Sequence, residues 1–271
     1  MTALADVVAA ALAEDLGPLG DITSALLDPA HRGHGRFVAR QAGVLAGRAC
    51  ADEAFRQVDG AIRADWRTAD GDAVDAGQVI GEIDGPMASL LTAERTALNF
   101  MCHLSGVATI TRHYVDAVKG TNVRVLDTRK TTPGLRTLEK AAVRAGGGHN
   151  HRGSLSDMVL IKDNHLVDWR VADAVDRARE RWPGRGVEVE CDRLEQVREA
   201  VAAGADIVML DNMRPGDVAV CVKEVDSRAL VEVSGGVTLA TIAEYAAAGP
   251  DLISVGALTH SAPILDIGLD F

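Results

Sequence analysis

Val187-Glu188-Val189 before Glu190, Ile207-Val208-Met209-Leu210 before Asp211, Leu230-Val231-Glu232-Val233 before Ser234, and Leu252-Ile253-Ser254-Val255 before Gly256 repeat one pattern. Each is a short, mainly apolar run that stops at a polar residue or a glycine. The stops fall at 190, 211, 234 and 256, spacings of 21, 23 and 22 residues. Helix-like stretches such as Arg193 to Ala203 and Leu239 to Ala248 lie between them. Two runs upstream follow the same grammar: Val123-Arg124-Val125-Leu126 before Asp127, and Met158-Val159-Leu160-Ile161 before Lys162. Strands alternating with helices of this length mean βα units and a parallel sheet. Six such units with no G-x-G-x-x-G motif favour a closed or nearly closed α/β barrel over a doubly wound sheet.

Upstream of that series the chain reads as mixed α and β. A helix is expected from about Ala3 to Glu14, β-prone pieces at 35–39 and 43–47, and a helix from Ala49 to Gln57. Hairpins are expected across Gly71 to Ile83, where turn residues alternate with apolar ones. Thr92 to about Lys119 reads as helix, broken near Ser105-Gly106. The apolar run Val7 to Ala13 is flanked by Asp6, Glu14 and Asp15, and the first basic residue is Arg32. A secretory signal needs a positive start, so this run is read as an amphipathic helix.

Composition narrows the function classes. The 271 residues carry 28 Lys and Arg against 39 Asp and Glu, a net charge of −11. Nucleic acid and membrane surfaces are polyanions, so neither is an expected partner. No apolar run reaches the ~18 residues of a membrane span. The four cysteines, Cys50, Cys102, Cys191 and Cys221, form no C-x-x-C pair, which argues against a cysteine-built zinc site and for reduced thiols in a cytoplasm.

In α/β barrels the C-terminal strand ends carry the chemistry. Here those ends hold Arg129 and Lys130, Lys162, Glu190, Asp211, Ser234-Gly235-Gly236 and Gly256. A single Lys or Asp after a strand is usually a cap or an ion pair, but their recurrence at one level is not. The two small, glycine-bearing ends suit a phosphate that backbone N–H groups approach closely. Arg129 and Lys130, the loop Gly146 to Arg152 with His149 and His151, and Lys162 concentrate positive charge in an acidic chain, as a polyanionic small substrate requires. Glu190 and Asp211, on consecutive strand ends, suit ribose hydroxyls, Mg2+ or a developing cation, or simple pairing with the lysines.

These residues lie in eight ordered blocks that resemble the quinolinate phosphoribosyltransferase family. The blocks are Glu94 to Phe100 followed by Leu104 to Thr109, Asp127 to Gly134, Gly146 to Arg152, Ile161 to His165, Glu188 to Cys191, Met209 to Asn212, Glu232 to Gly236 and Val255 to Ser261. The resemblance covers the chain from about Glu14 onward. It implies an N-terminal α/β sandwich over 1–104, an open seven-stranded α/β barrel over 105–261, and a tail, 262–271, that packs on the sandwich. It implies a homodimer in which each barrel mouth is closed by the other subunit's N-terminal domain.

The implied activity, a step of de novo NAD biosynthesis, joins quinolinate to 5-phosphoribosyl-1-pyrophosphate. It yields nicotinate mononucleotide, pyrophosphate and CO2, with Mg2+ as cofactor. The resemblance assigns the quinolinate carboxylates to Arg129, Arg152 and Lys162, with Arg95 reaching in from the other subunit. Lys130, and after it His151, are expected at the pyrophosphate. Ser234, Gly235, Gly236, Gly256 and His260 are expected at the 5-phosphate. Glu190 and Asp211 are expected to hold the ribose hydroxyls and to meet Mg2+ through water; with Lys130 they form the expected catalytic set. Three rival readings stay open: a related phosphoribosyltransferase-like protein of the molybdenum-transport type, which shares much of this pattern, an aldolase barrel with Lys162 as Schiff-base lysine, and a phosphosugar-binding sensor.

Overall fold

A computed structural model describes residues 4–271. In chain order the elements begin with α1 (Leu4–Leu16), β1 (Arg32–Ala39), β2 (Gly43–Val44), α2 (Arg48–Val58), β3 (Arg63–Trp66), β4 (Ala73–Val74), β5 (Val79–Pro86) and α3 (Met87–Ala117). They continue with β6 (Arg124–Leu126), α4 (Arg136–Ala145), β7 (Val159–Ile161), α5 (Val171–Arg181), β8 (Val187–Cys191), α6 (Leu194–Ala202), β9 (Ile207–Asp211) and α7 (Pro215–Val225). The last are β10 (Leu230–Ser234), α8 (Ile242–Ala247), β11 (Leu252–Ser254), α9 (Ala257–His260) and β12 (Ile267–Asp270).

The chain forms two compact units. The first comprises residues up to 112, 131–147 and 258–271; the second comprises 113–130 and 148–257. This partition differs from the sequence expectation, which gives 105–261 to the barrel as one piece. The segment 131–147 belongs with the first unit because α4 is tied to α3. Glu139, wholly buried, bonds His103 Nε2 at 2.8 Å, and Arg112 Nε donates to the Gly146 carbonyl at 2.9 Å.

The first unit is built on an antiparallel sheet in the order β12-β1-β5-β3. Phe37 on β1 stacks on Trp66 with ring centroids 4.7 Å apart and meets Phe55 of α2 edge-on. Three of the chain's few aromatics thus form one cluster, and most of the rest of its core is aliphatic.

Helix α3 runs unbroken for 31 residues, so the expected break at Ser105-Gly106 is absent. Both residues serve packing. The Ser105 hydroxyl sits wholly buried, donates to the Ala46 carbonyl at 3.0 Å and accepts the Ala46 amide at 2.9 Å. Gly106 lets the C-terminal tail approach: a Cβ there would lie 2.0 Å from the Pro263 carbonyl oxygen.

The second unit is the parallel α/β half. Its strands lie in the order β6-β11-β10-β9-β8-β7. A seventh position is a one-residue parallel bridge, His149 beside Leu126. That bridge puts the opening of the barrel between the 149 segment and β7. Alternation along each strand sorts the side chains. Val189, Val208, Leu210, Val233 and Ile253 are fully buried on one face. Glu188, Glu190, Met209, Asp211, Glu232 and Ser234 share the other, in the register Glu190↔Met209↔Glu232 and Asp211↔Ser234.

Replacing Gly106 by Ala should cost about 1–3 kcal/mol, the usual penalty for overpacking, because the clash is with backbone that cannot rotate away. A urea midpoint unchanged from wild type would show that the tail yields instead.

Candidate active site at the barrel rim

Each rim residue sits where a strand ends, as the stop residues of the repeated runs require. Glu190 is the fourth residue of β8, and Asp211 and Ser234 close β9 and β10. Lys162 follows β7 directly, and its ammonium pairs with the Glu190 carboxylate. Asp211 accepts from Asn212 Nδ2 at 2.7 Å. Asn212 takes a left-handed backbone, φ 55°, and its amide donates to the Ser234 carbonyl at 2.9 Å. Gly235 and Gly236 are both left-handed, φ 90° and 65°. A Cβ on Gly235 would strike Asn212 Oδ1 at 2.2 Å, whereas the space beside Gly236 is open. The β9 and β10 ends are thus knitted into one turn that leaves bare backbone at the rim.

Arg129 and Lys130 follow β6, the first half-buried and the second exposed. The Arg152 charge is disfavoured by burial and, next, by the like charge of Arg129; Glu188 and Asp157 offset both. A guanidinium remains cationic under such pressure, so two cations are held near each other in partly dry surroundings. Arg152 Nη1 donates to the Met158 carbonyl at 3.4 Å, spanning the barrel opening.

Glu188 and Glu232, which the sequence expectation leaves without a role, lie wholly buried inside the barrel. His151 lies between them. Its Nε2 is 3.0 Å from Glu188 Oε2 and 3.3 Å from Glu232 Oε2. Burial opposes charge on the ring, but bonds to the two carboxylates outweigh it and raise its proton affinity to about 10. Burial likewise raises Glu188, and the Glu232 charge adds to it. The Arg152 amide points at Nδ1 from 2.8 Å. The extra proton therefore belongs to the Nε2–carboxylate contacts. These ligand atoms lie within 4.8 Å of one another, as a metal site would need.

Arg95 and His260 belong to the first unit. Arg95 is exposed on α3, and Asn99 and His103, four and eight residues on, line a cavity of about 270 Å³ with Glu14 and Asp15. His260 Nδ1 meets Ser261 Oγ at 2.6 Å. Glu190 and Asp211 offer hard carboxylate oxygens on adjacent strand ends, a donor set that suits Mg2+. No helix among the described residues is long and apolar enough to cross a membrane.

Known proteins match the chain along its length. The N-terminal domain model of quinolinate phosphoribosyl transferase matches residues 21–105, and the C-terminal domain model matches 107–270. A nicotinate-nucleotide pyrophosphorylase (carboxylating) of Mycobacterium leprae is 46% identical over 274 residues, covering 98% of this chain and 96% of that protein. A chloroplastic counterpart from Arabidopsis thaliana is 40% identical over 284 residues, 97% of this chain and 81% of its own. The solved nicotinate-nucleotide pyrophosphorylase of Francisella tularensis superposes with a TM-score of 0.94 at 40% identity, covering 98% of this chain and 95% of its own.

The His151 group binds its proton more tightly folded than at the ordinary imidazole value. Its contribution to stability is therefore complete below pH ~6.5 and lost as pH rises through about 10. Urea denaturation from pH 7 to 10 should show wild type losing stability more steeply than His151→Gln. Parallel profiles would mean that the ring and the carboxylates around it hold no such proton.

Proposed function

The chain belongs to the quinolinate phosphoribosyltransferase family, and on that premise we propose that it converts quinolinate and 5-phosphoribosyl-1-pyrophosphate into nicotinate mononucleotide, pyrophosphate and CO2, a step of de novo NAD biosynthesis. The observation that carries this is the pressed pair of guanidiniums: Arg152, half-buried, bears the like charge of Arg129 in a chain of net charge −11. A ligand with two carboxylates on adjacent ring carbons relieves that repulsion, and Arg forks bind carboxylates bidentately.

In this assignment Arg129, Arg152 and Lys162 grip quinolinate, and Lys130 meets the pyrophosphate. Bare backbone at Gly235 and Gly236, with Ser234 and Gly256, receives the 5-phosphate. Glu190 and Asp211 hold the ribose hydroxyls and sit opposite the positive charge that grows on the ribose carbon as pyrophosphate leaves. The same two carboxylates would hold Mg2+, which when bound would supply charge neutralisation for the leaving group. The pyridine nitrogen bonds to the ribose carbon, and the resulting cationic ring withdraws electrons. The bond from the ring to its 2-carboxylate then breaks, CO2 departs, and the electron pair left on the ring carbon takes a proton from solvent. No side chain has to act as nucleophile, so the protein's work is positioning and electrostatics. Lys162, paired with Glu190, is engaged as a cation, which disfavours a Schiff-base role.

We place the enzyme in the cytoplasm as a homodimer in which Arg95 of the partner subunit completes each quinolinate site. Its exposure on α3, outside the barrel unit, supports that role.

With both substrates and Mg2+, wild type should release CO2 and nicotinate mononucleotide; binding without turnover would favour a sensor. Lys162→Ala should weaken quinolinate binding by about 2–4 kcal/mol, the cost of truncating one side of a charge pair, and leave phosphoribosyl pyrophosphate binding nearly intact. Arg95→Ala and Lys130→Ala homodimers should each be nearly inactive, and activity should return on mixing in step with the heterodimer fraction. A mixture that stays inactive despite heterodimers seen by native mass spectrometry removes Arg95 from the partner's site.

A further inference from the structure

Both ring nitrogens of His151 are engaged inside the protein. Nε2 is clasped by Glu188 from β8 and Glu232 from β10, at 3.0 and 3.3 Å. Nδ1 accepts the amide of Arg152 at 2.8 Å. The His151 amide donates to Asp127 Oδ1 at 2.9 Å, and Asn150 Nδ2 donates to Asp127 Oδ2 at 2.5 Å. Asp127, Glu188 and Glu232 are all wholly buried, and the His151 side chain is 8% exposed. At Nε2 the ring faces carboxylates borne on two strands, and at Nδ1 it holds the backbone of Arg152.

Resting on the quinolinate assignment above, we propose that Glu188, Glu232 and His151 form a clasp that positions Arg152 for the substrate carboxylate. None of the three touches substrate; they are positioning residues, and His151 is thereby withdrawn from the pyrophosphate. The physical need is clear. A guanidinium fork recognises a carboxylate only when its plane is aimed. Arg152 leaves the sheet at the barrel opening, where no neighbouring strand fixes the chain through a ladder. The clasp substitutes side-chain bonds for the missing ladder and ties the loop to β8 and β10, the most rigid reference available. The Arg152 side chain then completes the span by its bond to the Met158 carbonyl.

Paired variants separate aim from charge. Glu188→Met with Glu232→Met removes both acceptors at nearly constant bulk, whereas Glu188→Gln with Glu232→Gln keeps an acceptor oxygen at each place. Steady-state kinetics on the full chain, with Mg2+ and both substrates varied, give the two KM values separately. The Met pair should raise the quinolinate KM at least about tenfold, as misplacing a binding group does. Its KM for phosphoribosyl pyrophosphate should stay within about twofold, and the Gln pair should recover most of the loss. An unchanged quinolinate KM in a folded Met pair, or an equal rise in both KM values, overturns the clasp. So does a Gln pair as impaired as the Met pair, because negative charge alone would then be what matters. Thermal melting establishes folding; should the Met pair not fold, Glu232→Met alone is judged by the same split. Wild type measured alongside keeps the failures apart: its inactivity would sink the quinolinate assignment, while its activity with an unshifted variant KM would sink only the clasp.

Discussion

The second unit depends on how it handles buried negative charge. Asp127, Glu188 and Glu232 are all removed from water, in or beside a parallel sheet whose other buried positions are mostly aliphatic. An isolated carboxylate in such a place costs several kcal/mol unless it is bonded. The bonds come from one short segment. Asn150 and the His151 amide satisfy Asp127, and the His151 ring sets its Nε2 within 3.0 and 3.3 Å of one oxygen of each glutamate. This explains why the seventh strand is a single bridge. The ladder starts normally, with the His149 amide on the Val125 carbonyl and the Asp127 amide on the His149 carbonyl. At the next step the His151 N–H goes to the Asp127 side chain, and regular pairing ends. The buried charge thus recruits the segment whose pairing with β6 would otherwise continue.

Much of this is legible in the sequence, for identifiable reasons. The strand ends at Glu190, Asp211 and Ser234 are readable because each closes an apolar run at regular spacing, and a barrel converts spacing into a common rim. Glu188 and Glu232 are harder, although a signal exists. A strand buried on both faces should read as a continuous apolar run, so a glutamate inside Val187-Glu188-Val189 or Val231-Glu232-Val233 marks a buried charge in need of a partner. The partner lies 37 and 81 residues upstream, at His151, and no local pattern links them. The membership of 131–147 in the first unit has the same origin, because Glu139 and His103 are 36 residues apart. Ser105-Gly106 misleads for another reason. Glycine and serine are common helix breakers, but within a helix they are also the residues that let another backbone come close.

Rim and interior divide the work by polarity. The interior acids face His151, whereas Glu190 and Asp211 lie at the strand ends. One of these is paired with Lys162, so in the proposed assignment an anion that draws Lys162 away also frees a carboxylate.

The strand β12 is the edge of the first unit's sheet, paired with β1 in the register Arg36↔Asp270 to Ala39↔Ile267. Its other neighbours in that sheet are finished at Pro86, so 270 − 86 = 184 residues are synthesised before the sheet is whole. At about 5–20 residues per second this is roughly 10–40 s during which β1 presents an open edge on the ribosome. Vectorial synthesis thus delivers the sheet incomplete while the whole α/β half is made, and exposed edges of that kind invite pairing with other chains. The order of manufacture assigns this protein a chaperone-sensitive interval that its finished architecture conceals.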